Sequence, residues 1–441
     1  MLGRFLFAVG TFVSGERGFD RRLRQTVWLE RQPADVLRDH VSAKLSSTLS
    51  RAVASTPWYQ PFRQSVEGQN DAWQALQCFP ELTKAALQHH RAELTSRSYR
   101  GRVVHKTTGG STGQPVTVAK DPGAVSFERA ATWSFYQSYG IEIGSRCVRF
   151  WGTPTTANRA ARAFFADLAS NRITLSAFGV GDREMERHWM RCKDYQAPFF
   201  YGYSSMLAAF AQYVEEHGLD GSSCGVKAIV STSEVMTEVH RNLLQRVFKA
   251  TIRDEYGCGE FGPIAYECEA GLLHVASNNV VVEVITDDGR AARVGESGRL
   301  IVTDLNNLAM PLIRFNVGDF AELGGNCTCG RTGKTLVKIW GREYDFLELP
   351  DGRKYHGEFL MYLFEDLSTA GVRINQFQVI QDRDLSVSIR IVGSGVPSEI
   401  AARAVEAEAR RRLPGVAVSC VVVEEIERRA SGKTPLIIRR G

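Results

Sequence analysis

The chain has 441 residues, more than a single hydrophobic core usually serves, so at least two domains are expected. Hydrophobic residues make up 44% and charged residues 23%, a globular balance that excludes a disordered or fibrous chain. The formal net charge of +5, with no Arg/Lys stripe interleaved with aromatics, argues against nucleic acid as a partner and gives only a weak hint of an anionic ligand.

In chain order, the first feature is the apolar run Phe5–Val13, FLFAVGTFV. It is too short to span a bilayer and has no small-residue cleavage site behind it. A packed or surface-seeking first helix is the preferred reading and a signal peptide the alternative, which gives a cytoplasmic protein without an integral membrane segment. Pro33 opens a helical pattern with Leu37, Val41, Leu45, Leu49 and Val53 on one stripe. From about residue 100 to 300, short β-rich runs alternate with helical stretches. The runs include Cys147–Trp151, Lys227–Ser231, Val280–Ile285 and Gly298–Thr303; the helices include Ser204–His217 and Thr237–Ala250. That alternation predicts an α/β domain with helices packed on sheets.

Beyond Gly341 the pattern changes. Phe346–Pro350 and Lys354–His356 flank Asp351-Gly352, a hairpin signal. A short helix near 357–367, a strand pair near 376–392, a helix over 397–413 and a strand over 416–424 follow. This reads as a small α+β domain of residues 341–441 behind a large one of residues 1–340, with the boundary near Trp340–Asp345. No internal repeat or low-complexity tract interrupts either. Nine cysteines, an odd number scattered through a large chain, argue against a disulfide framework.

The segment Thr108-Gly109-Gly110-Ser111-Thr112-Gly113-Gln114-Pro115 follows a short β-like run. Its glycines let the backbone approach an anion, and the hydroxyls of Thr108, Ser111 and Thr112 can donate to phosphate oxygens. It lacks the Gly-Lys-Ser/Thr ending of a Walker loop. A flexible polar turn is the alternative. The text resembles the Ser/Thr-Gly-Ser/Thr-Thr-Gly-x-Pro signature of adenylate-forming enzymes, which include acyl- and aryl-CoA ligases. The resemblance implies that Thr108, Gly110, Ser111, Thr112 and Gly113 cradle the phosphates of ATP. Gly109 stands where a hydroxyl residue is common, and Gln114 where lysine is common.

Other motifs follow in the family's order. Asp254-Glu255-Tyr256-Gly257-Cys258-Gly259-Glu260 resembles its Tyr-Gly-x-Thr-Glu segment, with Gly259 in place of threonine. An aromatic ring can stack on adenine and a carboxylate can hold magnesium against phosphates. The resemblance therefore implies a nucleotide contact by Glu255, Tyr256 and Gly257, and both catalysis and a magnesium ligand at Glu260. A strand-end turn with a structural glutamate is the alternative. Pro311–Asp319 resembles the Arg-x-Gly-Asp region, which would put Asp319 after a glycine turn and on the ribose hydroxyls. Arg342, in Gly341-Arg342, matches the arginine near ribose and phosphate at the domain junction. Near the C-terminus, Ser431-Gly432-Lys433 resembles the motif whose lysine enters the active site. Its ammonium would neutralise charge as a carboxylate attacks the α-phosphate. The alternative there is a solvated basic tail. On this resemblance the small domain is mobile, with a hinge at Glu343-Tyr344-Asp345.

Cys268, His274, Cys327 and Cys329 supply three thiolates and an imidazole, a tetrahedral zinc set, with unrelated buried cysteines as the alternative. The surrounding text resembles the branch of phenylacetate–CoA ligase, several members of which carry a structural zinc. Pro57-Trp58-Tyr59 and Phe200–Ser205 resemble the same branch, and the hairpin text at 347–355 is closest to its capsule-biosynthesis members. In that branch the acid pocket would be lined by Phe150, Trp151, Tyr201, Ser231, Thr232, Ser233 and Glu234; core packing is the competing reading of each. An aromatic lining would suit a flat apolar acid.

The resemblance thus implies a two-step ligase using ATP, magnesium, a structural zinc and a carboxylic acid, with coenzyme A as acceptor. An amine or a carrier thiol is the rival acceptor, and a homodimer is compatible with the chain. A non-catalytic nucleotide- or zinc-binding protein is the rival from another class.

Overall fold

The computed structural model describes residues 3, 7–8, 10–11, 16, 18–108, 116–151, 157–176, 181–342, 346–350, 354–356, 367, 372, 374, 376–392, 396–413, 415–426 and 437–440. The chain falls into two compact units. One comprises Met1–Thr108, Val116–Val317 and Ala321–Ile339; the other comprises Gly109–Pro115, Gly318–Phe320 and Trp340–Gly441.

The first unit opens with helices α1 (Phe19–Leu29) and α2 (Ala34–Ser55). Pro33 precedes the first turn of α2, where its fixed φ costs nothing, and the stripe Leu37, Val41, Leu45, Leu49 and Val53 is buried as its spacing predicts. Strands β1 (Val104–Thr108) and β2 (Val116–Lys120) form an antiparallel hairpin with Val104 opposite Lys120. Helix α3 (Pro122–Ser138) follows directly, its N-terminus capped by Asp121, which accepts from the Ala124 amide at 3.1 Å.

The largest sheet has eleven strands among the described residues. They are β3 (Cys147–Trp151), β4 (Arg172–Ser176), β5 (Phe199–Tyr203), β6 (Ala228–Thr232), β7 (Thr251–Cys258), β8 (Gly262–Glu267), β9 (Leu273–Val275), β10 (Val280–Ile285), β11 (Ser297–Asp304), β12 (Phe315–Leu323) and β13 (Thr335–Arg342), in the order β10-β11-β12-β13-β9-β8-β7-β6-β5-β3-β4. Strands β4, β3, β5, β6 and β7 are parallel. Parallel neighbours need crossovers, here α4 (Ala157–Ala169), α5 (Asp182–Tyr195), α6 (Ser204–Glu216) and α7 (Glu238–Phe248). Beyond β7 the pairing with β8 and β9 turns antiparallel.

The side-chain period of two splits the parallel strands between two cores. Val148, Phe150, Phe200, Ile229 and Ile252 pack with residues of α5, α6 and α7. Cys147, Phe199, Ala228 and Val230 pack with Phe135 and Tyr136 of α3. This half of the sheet follows the predicted alternation. Strands β4, β5, β7, β8, β9, β12 and β13 are not among the β-rich runs read from the sequence.

In the second unit β14 (Phe346–Glu348) and β15 (Lys354–His356) form the expected hairpin around Asp351-Gly352. Strands β16 (Gln376–Gln381), β17 (Val387–Val392), β18 (Val418–Val422) and β19 (Ile437–Arg439) make a sheet in the order β18-β17-β16-β19. Helix α8 (Ser398–Arg412) buries Ala401, Val405 and Ala409 in one cluster with Val379, Ile389 and Ile391. Strand β19, parallel to β16, was not anticipated. The predicted helix near 357–367, except Leu367, and the hinge at 343–345 lie outside the described residues. No helix among the described residues is long and apolar enough to cross a membrane.

Candidate active site and metal centre

Ligands of open α/β sheets gather at the carboxyl ends of the parallel strands. Here that edge carries Trp151 on β3, Tyr203 on β5, Thr232 and Ser233 at the end of β6, and Glu255 onward on β7. Trp151 stacks on Tyr203 with ring centroids 4.4 Å apart and on Tyr201 at 5.8 Å, planes within 18° and 14°. Two of the predicted lining residues, Trp151 and Tyr201, are thus brought together. Tyr203 joins them and was missed, although its position two residues from Tyr201 puts it on the same face of β5. Ser233 is exposed and sits at φ 68°, an uncommon conformation for a residue with a Cβ.

Two lining expectations are corrected. Phe150 is 0% exposed, and its ring packs edge-on to Phe200 at 5.6 Å and against Phe210 at 5.1 Å. Strand alternation turns it to the side of the sheet covered by α5–α7, away from Trp151. Ser231 pairs in register with Gly202, the partner of Phe150, and is likewise fully buried on that side. Glu234 caps α6, accepting from the Ser205 amide at 2.8 Å.

Glu255 is also placed differently from the expected nucleotide contact. Its carboxylate accepts from the hydroxyls of Tyr136 and Tyr201, both at 2.9 Å, and Thr232 at 3.3 Å. Burial raises its pKa, and burial beside this carboxylate holds the two phenols well above their usual range. The three donors therefore stay protonated and tie β5, β6 and α3 beneath the aromatic stack. Tyr136 was not singled out from the sequence, because its partner lies 119 residues away.

The next residues form the sharp turn from β7 to β8. A bulge falls between Tyr256 and Gly257. A Cβ at Gly257 would lie 2.5 Å from the Gly262 carbonyl oxygen, so only glycine allows the two strands this close. Glu260 sits in the turn and is 5% exposed. Asp319, 7% exposed, is on β12 rather than in a loop. The glycine signal was real, since Gly318 has φ 78°, but it marks a distortion within a strand. Thr108 ends β1 and Arg342 ends β13. Gly110, Ser111, Thr112, Gly113 and Lys433 lie outside the described residues.

The metal set is assembled. Cys268 and His274 come from the β8–β9 turn and β9, Cys327 and Cys329 from the segment between β12 and β13, and their ligand atoms all lie within 4.8 Å of one another. The Cys268 and Cys327 sulfurs are 3.5 Å apart, and the Cys329 sulfur is 3.3 Å from His274 Nε2. Those separations exclude an S–S bond. They are close to the edges of a tetrahedron about zinc, roughly 3.8 Å between sulfurs and 3.5 Å between sulfur and nitrogen for ordinary bond lengths. Burial pushes the His274 pKa down to about 4, which keeps the imidazole in the neutral form that binds metal. The same loop is anchored elsewhere: Arg331 pairs with Glu30, and the Thr332 amide donates to the Glu30 carbonyl at 2.9 Å.

Comparison with known proteins agrees with this geometry. No protein-family profile matches the sequence. The chain is 23% identical to Protein CapK of Staphylococcus aureus over 273 residues, which cover 61% of this chain and 59% of that one, less than two thirds of its length. It is 24% identical to phenylacetate-coenzyme A ligase of Escherichia coli over 336 residues, covering 72% of this chain and 74% of that one. The structure of a 2-hydroxyisobutyryl-CoA ligase in the postadenylation state, in complex with R3-HIB-AMP, superposes with a TM-score of 0.74 at 17% identity, covering 93% of this chain and 91% of that one. The chain is therefore a relative of phenylacetate-coenzyme A ligases and of CapK, and it has the fold of acyl-CoA ligases of the adenylate-forming superfamily.

Proposed function

We propose that this protein is an ATP-dependent ligase that activates a carboxylic acid as acyl-AMP and passes the acyl group to coenzyme A. The observation that carries this reading is the carboxyl edge of the parallel strands. Along it and the turn that follows lie the Trp151–Tyr201–Tyr203 stack, Ser233, Tyr256 and Glu260, which supports the reading. Relationship to ligases supports the chemistry, and the 2-hydroxyisobutyryl-CoA ligase complexes with R3-HIB-AMP and with 2-HIB-AMP and CoA support its two steps.

In this reading Tyr256 faces adenine, Asp319 holds the ribose hydroxyls, and Arg342 serves ribose and phosphate. Thr108, Gly110, Ser111, Thr112 and Gly113 cradle the phosphates. Glu260, nearly buried in its turn, would hold magnesium, which would supply positive charge against the phosphates. Lys433, in a small mobile domain of residues 341–441, neutralises the oxygens of the α-phosphate as the carboxylate attacks. The aromatic stack accepts the flat face of the acid, and the hydroxyls on Glu255 fix the depth of that pocket. The four ligands Cys268, His274, Cys327 and Cys329 hold a structural zinc. Such a zinc would pin the β8–β9 turn to the β12–β13 segment.

A panel of carboxylic acids, assayed for pyrophosphate release with and without coenzyme A and with products identified by mass, tests the reading. Acid-dependent release and an acyl thioester are expected. An amide with an added amine in place of a thioester would move the acceptor to the rival class. Absence of release with every acid would point to a non-catalytic binding protein.

A further inference from the structure

Beneath the β1–β2 hairpin lies a buried charge cluster that no step above uses. Direct register places Val104 opposite Lys120 and Lys106 opposite Val118, so Lys106 and Lys120 share one face of the hairpin. Both ammonium groups reach the same carboxylate, Glu128 on α3. Lys106 pairs with Glu128 Oε2 and Lys120 with Glu128 Oε1. The Lys120 side chain is 0% exposed and that of Glu128 is 7% exposed. Asp304, at the end of β11, lies 3.7 Å from Lys120 and completes a set of two cations and two anions. Burial of a carboxylate this deep is tolerable only with such partners.

Glu128 touches a third element. A Cβ at Gly262 would lie 2.7 Å from its Oε2, and Gly262 has φ 71°. Gly262 is two residues beyond Glu260, on the far side of the same turn. One carboxylate thus joins the two strands that flank residues 109–115 in sequence to the backbone of the turn that carries Glu260.

We infer that Glu128 is a positioning residue for MgATP. It clamps the phosphate-loop hairpin, through Lys106 and Lys120, onto the β7–β8 turn that presents the magnesium carboxylate. This rests on the proposed ATP-dependent reaction and deepens its nucleotide site. The clamp governs the β- and γ-phosphates and their cation. It has no lever on adenine or ribose, so it discriminates MgATP from AMP.

The test is calorimetric titration of the full chain and its Glu128→Gln, Lys106→Met and Gly262→Ala variants with MgATP and, separately, with AMP, alongside thermal melts. Positioning groups one step removed from a ligand change affinity by about 10- to 100-fold when lost. Glu128→Gln is expected to weaken MgATP by about tenfold or more and leave AMP affinity within about twofold. Lys106→Met keeps the buried Lys120–Glu128 pair and shows the same selectivity with a smaller loss. Gly262→Ala, which pushes on the carboxylate from the turn side, reproduces the Glu128→Gln pattern. Wild-type affinity for MgATP in a folded Glu128→Gln variant overturns the clamp, as does an equal loss for MgATP and AMP, which would mark a general structural role. If Glu128→Gln fails to fold, Lys106→Met decides by the same two criteria. Failure of the wild type to bind MgATP overturns the ligase reading together with the clamp, whereas loss of the clamp alone leaves wild-type binding intact.

Discussion

At the residue scale, Phe150 and Trp151 show how adjacent aromatics divide their work. They are neighbours on β3 and project to opposite faces, Phe150 into the core with Phe200 and Phe210, Trp151 onto the tyrosine stack. Phe150→Ala should cost about 3–5 kcal/mol of stability, as large-to-small changes in packed cores do. It should leave KM for the acid unchanged once the assay temperature is lowered to suit the weaker fold. Denaturant unfolding and acid kinetics check both halves, and a selective rise in acid KM would return Phe150 to the pocket. Both were read as lining residues, although alternation along a strand lets only one of two neighbours face a given side, and composition does not show which because either face of a parallel strand is apolar. Glu255 was mislaid for a related reason. Its phenol partners come from α3 and β5, and sequence order carries no record of that meeting.

Individual elements explain what else was readable. Helices α2, α6 and α7 were legible because each buries a stripe at helical spacing and starts at a recognisable boundary, Thr237 capping α7 through the His240 amide at 3.1 Å. Strand β12 was obscured because Gly318-Asp319 reads as a turn, while Gly318 takes its positive φ inside a paired strand. The cysteine-histidine cluster was legible as a donor set, though only the fold brings the β8–β9 turn to the segment after β12. Metal analysis should find about one zinc per chain, and a strong chelator should lower the melting temperature, since metal bound only by the folded state adds to its stability. A metal-free protein with an unchanged melt would remove the zinc. Helix α7 also carries a pH dependence. Burial, in the first turn of a helix whose dipole disfavours a cation, pushes His240 down to about 4. A folded-state value below the unfolded one means that the unfolded chain binds the proton first. The stability this gives is complete above about 6.5 and is lost as pH falls toward 4. Replacing His240 by Gln should flatten the unfolding free energy over that window; an unaltered slope would assign it to other groups.

For the whole molecule, the text before residue 340 and the text after it differ in kind, and the described residues form two compact units with separate cores. The α/β pattern was visible in the parallel half of the large sheet, where β3, β4, β5 and β6 are each followed by a helix. In the other half β10 and β11 were read as strands while β8, β9, β12 and β13 were not, and this half shares one extended core with α2. The proposed chemistry was read in another way: short motifs in a fixed order, whose spacing reflects how far apart the fold lets their elements lie in the chain. Acyl-AMP formation is the step on which the ligase reading depends. Its most direct measurement is acid-dependent exchange of labelled pyrophosphate into ATP without coenzyme A, in the wild type and in Lys433→Ala. Exchange is expected to require the acid and magnesium and to fall by at least about 100-fold in the variant, the scale on which single charge-stabilising donors act. Exchange that persists undiminished in Lys433→Ala, or thioester formation with no exchange at all, would contradict that reading.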